Sequence, residues 1–269
     1  MGKERMAILM IGFDGYNDLW KDFFYLLKKN WSDCPYKIYL SNNELDYEVP
    51  GVITLHSGKN AEWSRKVQDA LKVIEEEYIC LLLEDFYVGA SVDTKEIEKI
   101  LTFMKTDQIR YYKLNTFTRF KTPHYKNYSF LYTIPENMPY GISLLPGIWK
   151  KNFLAEKLGT DNYNAWKFEC NRLAEEKGKG NQALEGCVFD SRNILQIQHG
   201  VVQGKYLPEV IKYFRKQGYE LNQSVRKTMS FKENFIYKCK RLDWPVPVKR
   251  VLKMILRKTG MKFVSDENA

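Results

Sequence analysis

The chain has 269 residues, 44% hydrophobic and 14% aromatic, with 42 Lys and Arg against 33 Asp and Glu for a formal net charge of +9. That composition excludes a disordered or collagen-like chain and is enough for one large α/β domain. No apolar run approaches the ~18 residues that span a bilayer, and the opening MGKERMAILMIGFDG lacks the small-residue cleavage site of a secretory signal. Five cysteines without a Cys-x-x-Cys pair read as reduced thiols in a cytoplasmic protein.

In chain order, residues 6–13 (MAILMIGF) predict a buried first strand. Residues 18–30 carry Leu19, Phe23, Leu26 and Leu27 at helical spacing, and 37–40 and 52–55 predict two short strands. A helix is predicted over 61–77, with Val67, Ala70, Leu71 and Ile74 inward. The continuous apolar run YICLLL at 78–83 reads as a strand buried on both faces. A helix over 94–105 and a strand over 111–114 follow. Residues 118–140, rich in Tyr, Pro, Thr and Asn, predict loops or a hairpin, and 194–198 predict a strand before His199. This alternation predicts an α/β sandwich around a mainly parallel sheet.

The positive charge belongs to the end of the chain. Residues 1–237 hold 33 basic and 30 acidic side chains, whereas 238–269 hold 9 and 3. Within 238–269, Val248, Val251, Leu252, Ile255 and Leu256 line one helical face, and Lys249, Arg250, Lys253, Arg257 and Lys258 occupy the others. The chain is therefore divided into a body, 1–237, and a basic amphipathic tail, 238–269. Such a helix suits an anionic membrane surface, engaged through 238–262, which predicts a protein peripheral to the cytoplasmic face of a membrane. The competing arrangement packs the helix on the core with a solvated basic back. A nearly balanced body argues against nucleic acid as a partner, as does the lack of a zinc-finger or RNP pattern.

The most informative stretch is YICLLLEDFYV, where an apolar strand ends in Glu84 and Asp85. Ligands of open α/β sheets bind at the carboxyl ends of strands. Hard cations such as Mg²⁺ or Mn²⁺ take carboxylate oxygens there, completed by substrate phosphates. The stretch resembles the acidic turn of GT-A-fold glycosyltransferases, in the short form found in enzymes of bacterial surface-polysaccharide (capsule and O-antigen) clusters. GFDGYNDLWKDFFYLLKKNWSDCPYKIYLSNN resembles the opening strand, helix and second strand of that family. NAEWSRKVQDALKVIEEEYICLLLEDF resembles the helix that leads into the metal-binding strand, and YGISLLPGIWKKNFL with NAWKFE resembles the acceptor-side segment. The resemblance covers roughly residues 6–215. It implies a GT-A-like, Rossmann-like domain that uses a nucleotide-sugar donor and a divalent cation. Because the turn is Glu-Asp-Phe rather than Asp-x-Asp, Asp85 becomes the side-chain metal ligand, and Glu84 contacts the sugar or neighbouring main chain.

The resemblance also offers His199 as a second metal ligand, by its late place in the chain; a hydrogen-bonded loop histidine is the other reading. Lys205 is an alternative contact to phosphate. On the donor side, Asp14 follows the first strand and suits ribose or base. Arg65, near a helix start, suits a diphosphate or is a surface charge. Glu169, following the aromatic residues Trp166 and Phe168, is the expected catalytic base, since desolvation raises carboxylate basicity. Trp149 and Trp166 are expected to stack on acceptor sugars, or to fill the core. Together with the tail, the resemblance implies a lipid-linked or oligosaccharide acceptor. A sugar nucleotidyltransferase is the nearest alternative, but GFDGYND after the first strand is acidic where such an enzyme needs a cationic phosphate loop. A non-catalytic nucleic-acid-binding protein is the alternative of another class.

Overall fold

The computed structural model describes residues 6–114, 122–241 and 254. The predicted amphipathic face at 248–256 and the rest of the tail after 241 lie outside the described residues, Met254 excepted, as do 118–121 of the predicted loop segment.

The elements run β1 (Met6–Ile11), a 3-10 turn (Asp14–Leu19), α1 (Trp20–Asn30), β2 (Lys37–Asn42), β3 (Val52–His56), α2 (Trp63–Val73) and β4 (Tyr78–Leu83). Next come β5 (Phe86–Val88), α3 (Thr94–Thr106), β6 (Tyr111–Lys113), β7 (Leu131–Pro135), β8 (Gly147–Lys150), α4 (Lys151–Leu158) and α5 (Ala165–Glu176). The chain continues through β9 (Ala183–Asp190), β10 (Ile197–His199), β11 (Val201–Val202), β12 (Lys205–Tyr206), α6 (Pro208–Lys216) and α7 (Phe231–Arg241). Eight strands form one sheet in the order β3-β2-β1-β4-β8-β6-β9-β7. β3, β2, β1 and β4 are parallel, as the sequence predicts. β8 then inserts antiparallel between β4 and β6, β9 runs parallel to β6, and β7 closes the edge antiparallel.

The apolar runs of β1 and β4 follow from helices on both faces of the sheet. Ile8, Met10, Cys80 and Leu82 pack with α1, α3 and α6, while Ala7, Leu9, Ile79 and Leu81 pack with α2, α4 and α5. The helix predicted over 61–77 ends at Val73, because Ile74 turns extended and Glu76 is drawn down to pair with Lys37 at the start of β2. The predicted loop segment contains β7, which joins the main sheet through β9. After α6 the chain folds back over the start of α1. Asp22 accepts from Tyr219 Oη and the Asn222 amide, both at 2.7 Å. Arg226 forms a two-bond pair with Asp18 and stacks 3.8 Å over Tyr16. This strap leads into α7, which spans the division drawn at residue 237. Among the described residues no helix is long and apolar enough to cross a membrane.

Candidate active site

At the carboxyl end of β4 the chain passes through Glu84 and Asp85 into β5, which pairs antiparallel with β10 and sets His199 opposite Phe86. The Gly200 amide donates to the Asp85 carbonyl at 2.7 Å. A Cβ on Gly200 would lie 2.5 Å from the Tyr87 ring, so glycine is what lets the two segments approach this closely. The result joins two residues 114 positions apart: His199 Nε2 lies 3.0 Å from Asp85 Oδ2.

Both residues line a mostly apolar cleft of about 440 Å³, together with Glu169, Trp166, Lys113 and Tyr237. Glu169 Oε1 accepts from the Leu144 amide at 2.8 Å, and Oε2 is buried with no hydrogen-bond partner among the described residues. Burial holds this carboxyl above its ordinary range, against the pull of the Leu144 amide, Lys113 and Arg172. Trp166, at the first turn of α5, is 44% exposed and lines the cleft. Trp149 does not. It is fully buried in β8, with its ring centroid 4.1 Å from Tyr111, so its expected acceptor role is corrected to a core role. Strand alternation turns it into the layer of α2 and α4, away from the cleft.

Of the expected donor residues, Asp85 lines the cleft, whereas Asp14, Arg65 and Glu84 lie apart from its lining. Glu84 is buried and accepts from the Phe13 amide; burial, then the neighbouring Asp85 charge, pushes its carboxyl up to about 8. The cation beside it is Lys66. Its buried ammonium donates to the Gly12 carbonyl at 2.8 Å and Asn43 Oδ1 at 3.2 Å, and burial lowers its basicity. Asp14 spends its carboxylate on the amides of Asn43, Glu44 and Leu45 at 2.9–3.0 Å, which shapes the β2–β3 turn. Arg65 is half-buried on α2 and does not line the cleft. Lys205 pairs with Glu233 of α7.

Sequence reasoning missed Lys66, Lys113, Glu176 and Tyr237. Lys113 carried a signal, a lone lysine in the apolar strand YYKL. For a divalent cation the cleft offers one carboxylate oxygen and one imidazole nitrogen, which here face each other at 3.0 Å, so substrate and water would have to complete any shell. Among the described residues no group of three or more His, Cys, Asp or Glu could hold a metal by itself.

No protein-family model matches the chain, and no curated protein matches it. Solved structures similar to it include S. aureus TarS 1-349, at 10% identity and TM-score 0.43, covering 70% of this chain and 60% of that one. The same protein in complex with UDP-GlcNAc aligns at 11% identity and TM-score 0.39, covering 79% and 65%. The bifunctional IspDF from Campylobacter jejuni aligns at 13% identity and TM-score 0.38, covering 68% and 52%. The chain thus spans less than two thirds of the length of each.

Proposed function

We propose that the protein is a GT-A-like glycosyltransferase that moves a sugar from a nucleotide-sugar donor to a lipid-linked saccharide in bacterial surface-polysaccharide synthesis. The observation that carries this reading is the convergence of Asp85, His199, Glu169 and Trp166 on one cleft at the carboxyl end of the central strand. Asp85 and His199 would hold Mn²⁺ or Mg²⁺, which when bound supplies positive charge to a departing diphosphate. Glu169 takes the proton of the acceptor hydroxyl, and the burial of its carboxyl suits it to hold that proton. Trp166 offers a face on which an acceptor sugar stacks. α7 contributes Tyr237 to the cleft and leads directly into the basic tail, so an acceptor carried by a membrane lipid reaches the same opening.

The test is a thermal-shift panel of UDP, GDP, dTDP and CMP with and without Mn²⁺. One nucleotide raises the melting temperature in a Mn²⁺-dependent manner, and Asp85→Asn removes the metal-dependent part. No stabilisation by any nucleotide well above millimolar concentration would sink the donor site.

A further inference from the structure

Around the Glu169 carboxyl lies a cluster of buried charge whose other members, Lys113 and Glu176, the proposed reaction has so far not used. Lys113 ends β6 and is only 2% exposed; its Nζ donates to the Tyr140 carbonyl at 2.6 Å and the Gly141 carbonyl at 3.4 Å. Glu169 and Glu176 stand seven residues apart on one face of α5. Both face the same wall segment: the Leu144 amide donates to Glu169, and the Tyr140 backbone draws the Glu176 carboxyl down against its burial. The Tyr140 backbone adopts a left-handed conformation, φ 61°, a conformation that its side chain disfavours and that these bonds hold in place. Glu169 Oε2 and Glu176 Oε2 are both buried without a hydrogen-bond partner among the described residues.

The charges facing Glu169 can be named element by element. Lys113 and Tyr111 come from β6, Arg172 and Glu176 from α5, and Tyr140 from the wall; Asp85 and His199 stand on the other side of the cleft. Arg172 is already engaged by Glu175 through both terminal nitrogens. Among the described residues Lys113 acts on both buried carboxylates, ahead of Arg172.

We propose that Lys113 is a positioning residue for the cleft: its buried ammonium fixes the 140–144 wall and supplies the charge against which Glu169 stays ionised. Glu176 is then the neutral member of the carboxyl pair. Burial of Glu176 and the nearby Glu169 charge push its carboxyl up to about 8, and burial brings the Lys113 ammonium down to about 8. A bare pair of carboxylates would leave the base protonated or the wall unanchored. The inference rests on the reading of Glu169 as the base.

The experiment follows the carboxyl carbon of Glu169 and the ε-carbon of Lys113 by ¹³C NMR through a pH titration of the full-length protein. In Lys113→Met the proton affinity of Glu169 rises about tenfold or more, and Lys113→Arg, which keeps the charge, restores it. Turnover of Lys113→Met shows a lower kcat with its acid limb displaced upward and the donor KM unchanged. Should Lys113→Met fail to fold, the reciprocal measurement uses Glu169→Gln, in which the Lys113 ammonium loses its proton more easily by a similar factor. An unchanged Glu169 titration in folded Lys113→Met, or an unchanged Lys113 titration in Glu169→Gln, overturns the coupling. Full turnover by Glu169→Gln with the coupling intact overturns the choice of base instead, so the two failures are distinguishable.

Discussion

Glu84 gives the sharpest quantitative prediction. Its carboxyl is buried at the strand end and pushed from 4.5 to about 8, by burial first and then by Asp85, with the Lys66 ammonium and the Phe13 amide pulling the other way. The folded state therefore favours the protonated acid. That contribution is fully present below pH 4.5 and is lost as pH rises through about 8. At about 1.4 kcal/mol per tenfold change in proton affinity, the ionised side chain costs the fold up to about 5 kcal/mol above pH 8. At pH 7 the cost is up to about 3 kcal/mol. Glu84→Gln keeps the shape and removes the charge. Allowing for relaxation around the buried charge, it stabilises by about 2–3 kcal/mol at pH 7 and about 3–5 kcal/mol at pH 9, with little effect at pH 4.5. Urea unfolding at those three pH values, with chelator present, measures the difference directly. A Glu84→Gln effect that is independent of pH, or that grows towards acid, refutes the reasoning.

Three further predictions separate structural from functional roles. Trp149→Ala loses about 3–5 kcal/mol of stability through the cavity beside Tyr111, whereas Trp166→Ala leaves the melting temperature within a degree or two and raises the acceptor KM. Gly200→Ala drives its methyl into Tyr87 and parts His199 from Asp85, costing about 1–3 kcal/mol and weakening Mn²⁺ binding in calorimetric titration. Truncation after Tyr237 removes nine basic residues and releases the protein from anionic liposomes in flotation; retention on the vesicles would assign membrane binding to the body.

Much of the parallel half of the sheet was legible because its strands are apolar on both faces and end abruptly. MAILMI and YICLLL admit hardly any other placement, and the acids after the second mark the strand end at which the cleft opens. His199 was legible by its place in the chain alone. What brings it to Asp85 is the β5–β10 pairing, three residues on each side and permitted by Gly200, and no periodicity announces so short a ladder. The two tryptophans show the limit differently. Both lie in the segments that resemble the acceptor side, yet Trp149 belongs to a four-residue strand whose direction is set by its neighbours in the sheet, and Trp166 to an exposed first helical turn. The placement of Asp14 was hidden for a related reason. Asp14 looks like a ligand from its position, but the β2–β3 turn consumes its lone pairs, and that turn is 29–31 residues away. Contacts across still longer separations, such as Arg226 to Asp18 over 208 residues, leave no local pattern.

The most direct test of the central claim is release of nucleoside diphosphate from a panel of nucleotide sugars, with Mn²⁺ and a polyprenyl-diphosphate saccharide in anionic vesicles as acceptor. The wild-type protein is predicted to release nucleotide from one donor, with Asp85→Asn and Glu169→Gln each reduced at least about a hundredfold and Glu169→Gln still binding the nucleotide. Release that both variants sustain at the wild-type rate, or no release and no binding with any donor from folded protein, contradicts a glycosyl-transfer site in this cleft.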